Sequence, residues 1–194
     1  MLGSKRVFTN NNQNNYVQSV NIPIELFESM KGEYFVGYAE NLLFGKGTKA
    51  WARLYNPYNS GVNLHVNVWT VSDISAGPYN AQFWFNANPS CGFTESKLFT
   101  CSNTAIWPVP VPKSIIQKAI NVTNDPYGGA KAFVRTSQPG ITIADNENGK
   151  FIFPPGGSFL VLISLVEGYD DPADGRIAFG WWEEKIPNGG KQLI

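Results

Sequence analysis

The chain is short of charge. Asp, Glu, Lys and Arg make up 15% of its 194 residues, against about 25% in an average soluble domain. The 15 basic and 15 acidic side chains cancel. With no basic excess to neutralise phosphates, nucleic acid is not expected as a partner. Zero net charge also weakens the repulsion that keeps subunits apart, which favours self-association. Cysteine and histidine are scarce, with Cys91, Cys101 and His65 the whole supply. These three cannot complete a tetrahedral zinc site without carboxylates, and no cofactor is expected. Long apolar runs are missing too. The longest, residues 159–166, is interrupted by Ser164 and falls far short of the roughly 20 residues of a membrane-spanning helix. No apolar stretch of signal-peptide length follows Lys5 and Arg6, so Sec export is not expected.

What the chain does have is hydrophobic and aromatic residues, at 43% and 14%, and turn formers, with 19 Gly and 13 Pro. That composition describes an ordered, β-rich protein with a single core. Residues 1–15 stand apart. They are rich in Asn and have no periodicity, so they read as a flexible arm ahead of one domain over 16–194.

Within that domain Val20, Ile22 and Ile24 alternate as in a strand, but Pro23 followed by Glu25, Leu26, Phe27 and Met30 and then Gly32 favours one short helix, with Pro near its first turn and Gly near its stop. The rest reads as strands. Over 62–71, Val62, Leu64, Val66, Val68 and Thr70 fall on one face, and Asn63, His65, Asn67, Trp69 and Val71 on the other. Residues 33–39, 49–56, 81–86, 130–136, 141–144, 150–153 and 176–182 add further strands, and 159–166 is apolar on both faces, as a central strand is. Residues 114–122 fit a strand or a helix equally. Gly/Pro/Asn clusters, including Glu147-Asn148-Gly149, read as turns. Pro108, Pro110 and Pro112 exclude 107–112 from a sheet interior and place it at an edge or in a crossover between sheets. Many short strands with little helix predict an all-β, two-sheet antiparallel sandwich, jelly-roll-like, with at most one short helix.

Catalytic signals are weak, and the chain does not read as an enzyme. His65 has no nucleophile motif beside it. Glu183 and Glu184 are adjacent on a strand, so they face opposite ways and cannot form an acid pair. Asp170, Asp171 and Asp174 crowd one loop, where oxygen ligands could hold Ca²⁺ or simply be solvated. The Gly pairs do not open helices, so no phosphate cradle is expected. Cys91 and Cys101 bracket a loop and suit either a disulfide or two reduced thiols. Trp69 and Trp84 both fall on the less apolar face of their strands. Side by side they would form an aromatic contact patch for a glycan or a protein; a second sheet or a neighbouring subunit would otherwise cover them.

The arm suggests how copies would meet. A segment without its own core can add as a strand to a neighbour's sheet, its backbone paired and alternate side chains seated in pockets. Ordering costs about 1–2 kcal/mol per residue, and burying Phe8, Tyr16, Val17 or Val20 returns roughly 1.5–3 kcal/mol each. Open head-to-tail repetition makes a filament, closed repetition a ring or shell. The expected function is a self-assembling structural subunit of a fibre, appendage or surface layer, its partners copies of itself.

Three segments, RLYNPYNSGVNLHVNVWTVSD, KFIFPPGGSFLVLISL and AFGWWEE, resemble a small uncharacterised protein family of spore-forming Firmicutes. The resemblance implies a β-sandwich and a place on the endospore surface or in its appendages, where proteins made in the mother cell need no leader. Some spore-appendage subunits carry cysteines in an N-terminal connector; this arm has none before Cys91. The alternatives are a phage-like structural protein and a jelly-roll carbohydrate-binding module.

Overall fold

The computed structural model describes residues 4–8, 18–74, 77–90 and 92–187. Its one helix among these, α1 (Ile24–Lys31), lies where Pro23 and Gly32 place it. Pro23, at φ −56, caps the N-terminus, and its carbonyl accepts the first helical bond from Phe27 N at 3.1 Å. Gly32 takes the left-handed conformation, φ 75, and ends the helix, as a residue without Cβ does at little cost. Glu25 in the first turn and Lys31 in the last complement the helix dipole.

The strands are β1 (Ser4–Phe8), β2 (Gln18–Ile22), β3 (Tyr34–Phe44), β4 (Lys49–Tyr55), β5 (Val62–Asp73), β6 (Tyr79–Phe85), β7 (Thr94–Ser96), β8 (Phe99–Cys101), β9 (Ile115–Val122), β10 (Ala130–Ser137), β11 (Ile143–Phe153), β12 (Ser158–Leu165) and β13 (Ala173–Lys185). A six-stranded sheet runs β10-β6-β12-β4-β9-β7 and a five-stranded sheet β11-β5-β13-β3-β8. Four antiparallel pairings are nested: β3 with β13, β4 with β12, β5 with β11 and β6 with β10. Cross-pairs β5–β13 and β6–β12 join them into sheets. Folding four nested hairpin pairs over themselves is the jelly-roll arrangement. Strands β7, β8 and β9 are inserted between β6 and β10 and widen both sheets on one side. The proline segment leads from β8 in one sheet to β9 in the other, so it is a crossover, and 115–122 is a strand.

Aromatic rings fill the space between the sheets. Phe83 lies 4.3 Å from Trp69 and 4.4 Å from Phe133, and Phe159 packs between Phe83, Phe85 and Phe179. Trp69, Phe83, Phe159 and Trp181 are buried, each contributing on the order of 1.5–3 kcal/mol or more. Strand β12 is central and buried on both faces, as its apolar run predicts.

Two strand readings are corrected. The inward face of β5 changes at Asn67. Val62, Leu64 and Val66 point inward, then Trp69 and Val71 do. Both neighbouring ladders jump from Val66 to Val68, leaving Asn67 as the extra residue of a bulge, and one extra residue inverts the alternation beyond it. Residues 141–144 and 150–153 do not flank a turn either. Residues 143–153 are one strand, β11, which bulges between Asn146 and Phe151. Positive φ at Asn148 (50) and Gly149 (68) lets the backbone arch there.

Candidate functional site

The segment read as a flexible arm contains a strand. β1 pairs antiparallel with β2, from Ser4↔Ile22 to Phe8↔Gln18. Together they form a separate two-stranded sheet, which among the described residues is hydrogen-bonded to neither large sheet. Phe8 ends β1, and Val20 stands opposite Arg6 with 43% of its surface exposed. Tyr16 and Val17 lie outside the described residues. An isolated two-stranded ribbon is marginal in water and gains stability from a third strand.

Trp69 and Trp84 do not form a shared patch. The bulge at Asn67 turns Trp69 into the core, 1% exposed, and β5 and β6 belong to different sheets. Trp84 lies on the outer face of the six-stranded sheet, packed against Trp51, Leu160, Leu162, Ala119 and Val122. Lys131 Nζ sits over its ring at 4.9 Å. On the same face Arg53 is buried between strands. Its Nε donates to Gln117 Oε1 at 2.9 Å and its NH1 group to Ala87 O at 3.2 Å, and its guanidinium stacks on Tyr55 at 4.7 Å. Burial pushes its pKa down.

The outer face of the five-stranded sheet carries a shallow groove of about 490 Å³. Small residues on the middle strand, Ala178 and Gly180, form its floor, between Val68 and Thr70 on one side and Val36 and Tyr38 on the other. Further along the same face Trp182 stacks on His65 at 5.0 Å and on Tyr34 at 6.5 Å. His65 Nε2 lies 3.2 Å from Glu184 Oε2, and its Nδ1 lies 3.4 Å from Gly149 O. The lone histidine therefore braces a tryptophan.

Glu183 and Glu184 take opposite faces, as strand alternation requires. Glu184 is exposed, whereas Glu183 is 5% exposed and accepts the backbone N–H groups of Lys113 and Ser114, each at 2.8 Å. It fastens the end of the crossover to β13, a role no local motif announces. Asp170 and Asp171 are exposed on the β12–β13 loop, and Asp174 is inside β13. The main-chain oxygens of Asp170 and Asp174 accept from Lys46 N and Ile74 N. Among the described residues no three His, Cys, Asp or Glu side chains gather as a metal-binding group. Cys101 is a buried free thiol with Sγ 3.7 Å from Gly32 O; Cys91, the other half of the candidate disulfide, lies outside the described residues.

Among the described residues no helix is long and apolar enough to cross a membrane. No curated protein matches the chain. Among solved structures it aligns with one of infectious bursal disease virus, Gt strain, at 13% identity and a TM-score of 0.16, over 100% of this chain and 48% of the viral chain. It thus spans about half the length of that viral chain. Residues 5–188 match DUF6143, a family of unknown function, and the chain belongs to that family.

Proposed function

We propose that this protein is a structural subunit that self-assembles into a fibre, appendage or surface layer by adding its N-terminal ribbon to a neighbouring copy. One observation carries the reading: among the described residues β1 and β2 pair only with each other in the sheet topology, outside both sheets of the sandwich. A ribbon with free backbone edges on both sides gains most by joining a larger sheet. The neutral charge supports close packing of copies. The resemblance of the RLYNPYN, KFIFPPGG and AFGWWEE segments to proteins of spore formers favours the endospore surface or its appendages as the place of assembly. A phage-like particle is the rival setting, and genome neighbourhood separates the two.

Electron microscopy of the purified full chain, beside a chain lacking residues 1–22, tests the proposal. The full chain is expected to form repeating structures and the deletion, which removes β1 and β2, to remain at single-copy mass. Identical behaviour of the two overturns the ribbon mechanism.

A further inference from the structure

A donated strand needs an acceptor edge, and the two sheets offer four: β10 and β7 in one, β11 and β8 in the other. Strands β7 and β8 have 3 residues each, too short to template a partner. The free side of β11 is interrupted by the bulge between Asn146 and Phe151, and bulges blunt edges. Strand β10 has 8 residues. Apart from partly buried Phe133 and buried Ser137 its residues are exposed, Val134 among them at 45%. Beyond an irregularity between Lys131 and Phe133, residues 133–137 pair with β6 without interruption, a run matching the 5 residues of β2.

Charged side chains commonly guard such an edge. Here Lys131 lies back over its own sheet, its Nζ 4.9 Å from the Trp84 ring, while Arg135 stays along β10, its guanidinium 4.8 Å from the Phe133 ring and its NH1 group donating to Val134 O at 3.3 Å. The positive charge that remains nearby selects between the two ribbon strands. β1 contains Lys5 and Arg6 and would be repelled; β2, with the sequence QSVNI, brings no charge.

We infer that the free edge of β10 receives strand β2 of a neighbouring copy's ribbon, extending the six-stranded sheet across the subunit boundary. This rests on the assembly reading above and specifies both surfaces of the contact. Donor and acceptor are different patches of the same chain, so the contact is head-to-tail and propagates wherever its rotation does not close.

Arg135→Pro and Thr136→Pro in the full chain provide the test, with circular dichroism for folding and light scattering for assembly. Neighbouring strand residues aim their N–H groups to opposite sides. One proline therefore breaks the ladder to β6, and the other removes only an outward donor. The variant that keeps the parent spectrum is expected to need a concentration higher by on the order of tenfold or more before it assembles. A folded variant that assembles at the parent's concentration overturns the β10 assignment. If both variants unfold, amide exchange over Ala130–Ser137 decides: slower exchange in the assembled than in the dispersed protein supports the contact, and equal exchange overturns it. Deleting residues 1–22 separates the two levels. Lost assembly in the deletion beside parental assembly in the folded proline variant overturns β10 alone. Parental assembly in the deletion, or a full chain that stays at single-copy mass, overturns the ribbon reading as well.

Discussion

The indole N–H of Trp69 donates to Glu147 Oε1 at 3.1 Å, both side chains being buried. The contact ties the core face of β5 to the arch of β11. Replacing Glu147 by Ala leaves a buried donor without its acceptor, which costs about 1–3 kcal/mol. Glu147→Gln keeps an acceptor oxygen and should retain most of the stability. Urea denaturation of the two variants measures the difference, and equal loss in both would show that the hydrogen bond is not what holds the arch.

Gly149 sits in that same arch at φ +68, where an added Cβ would fall 1.8 Å from Trp182 Cη2. Gly149→Ala should lower the melting temperature well beyond the effect of Gly47→Ala. Gly47 also has positive φ, +74, but opens onto free space, so its substitution carries only the backbone penalty of about 1–2 kcal/mol. Scanning calorimetry of the pair separates strain from collision.

Tyr79 is fully buried, and its hydroxyl, with one proton to donate, lies 3.0 Å from both Val71 O and Ile141 O. Burial raises its pKa, and burial raises that of Tyr34 against the opposing hydrogen bond from Asn67. The unfolded tyrosines titrate near 10. A folded pKa above that value means the unfolded chain releases its protons first, so stability is complete below about pH 10 and declines as pH rises through the folded values. Tyr79→Phe should lose about 1 kcal/mol at neutral pH and show a shallower decline in alkali. Denaturation midpoints at stepped pH read both effects.

Arg53 is buried, and the acceptors of its hydrogen bonds, Gln117 Oε1 and Ala87 O, are neutral. Arg53→Met alone strands the Gln117 acceptor and should destabilise by about 1–3 kcal/mol. Arg53→Met combined with Gln117→Leu removes both partners and should recover a large part of that loss, because a matched apolar pair replaces a desolvated polar one. A double-mutant cycle in denaturant reports the coupling.

Local chemistry announced some elements and concealed others. Pro23 and Gly32 mark α1 because each has a backbone preference that acts without tertiary help. The apolar run at 159–166 announces β12 because only a doubly covered strand is apolar on both faces. The inversion at Asn67 was hidden because apolar residues alternate smoothly through Val66 and Val68. The one sign was Trp69 and Val71, two bulky side chains on the face called polar. The arch of β11 was hidden behind Asn148-Gly149, a pair that suits a hairpin turn and serves here to carry the strand over Trp182. Strand β1 was hidden because periodicity within 5 residues is too short to register, whereas β2 showed in the alternation of Val20 and Ile22. The role of Glu183 depends on a backbone brought from the other end of the insertion, which no neighbouring residue foretells.

The nested pairings also govern how this protein can be made. Tyr34 is matched with Trp182 and Leu54 with Phe159, so β3, β4, β5 and β6 lack ladder partners until the late half of the chain has emerged from the ribosome. Closure across such sequence distances is slow, in the millisecond-to-second range for comparable β topologies. In the interval β3, β4, β5 and β6 travel with their apolar faces uncovered. Translation speed and chaperone supply therefore bear on yield for this chain, and losing the last strand, β13, leaves β3 and β5 without the partner that joins them.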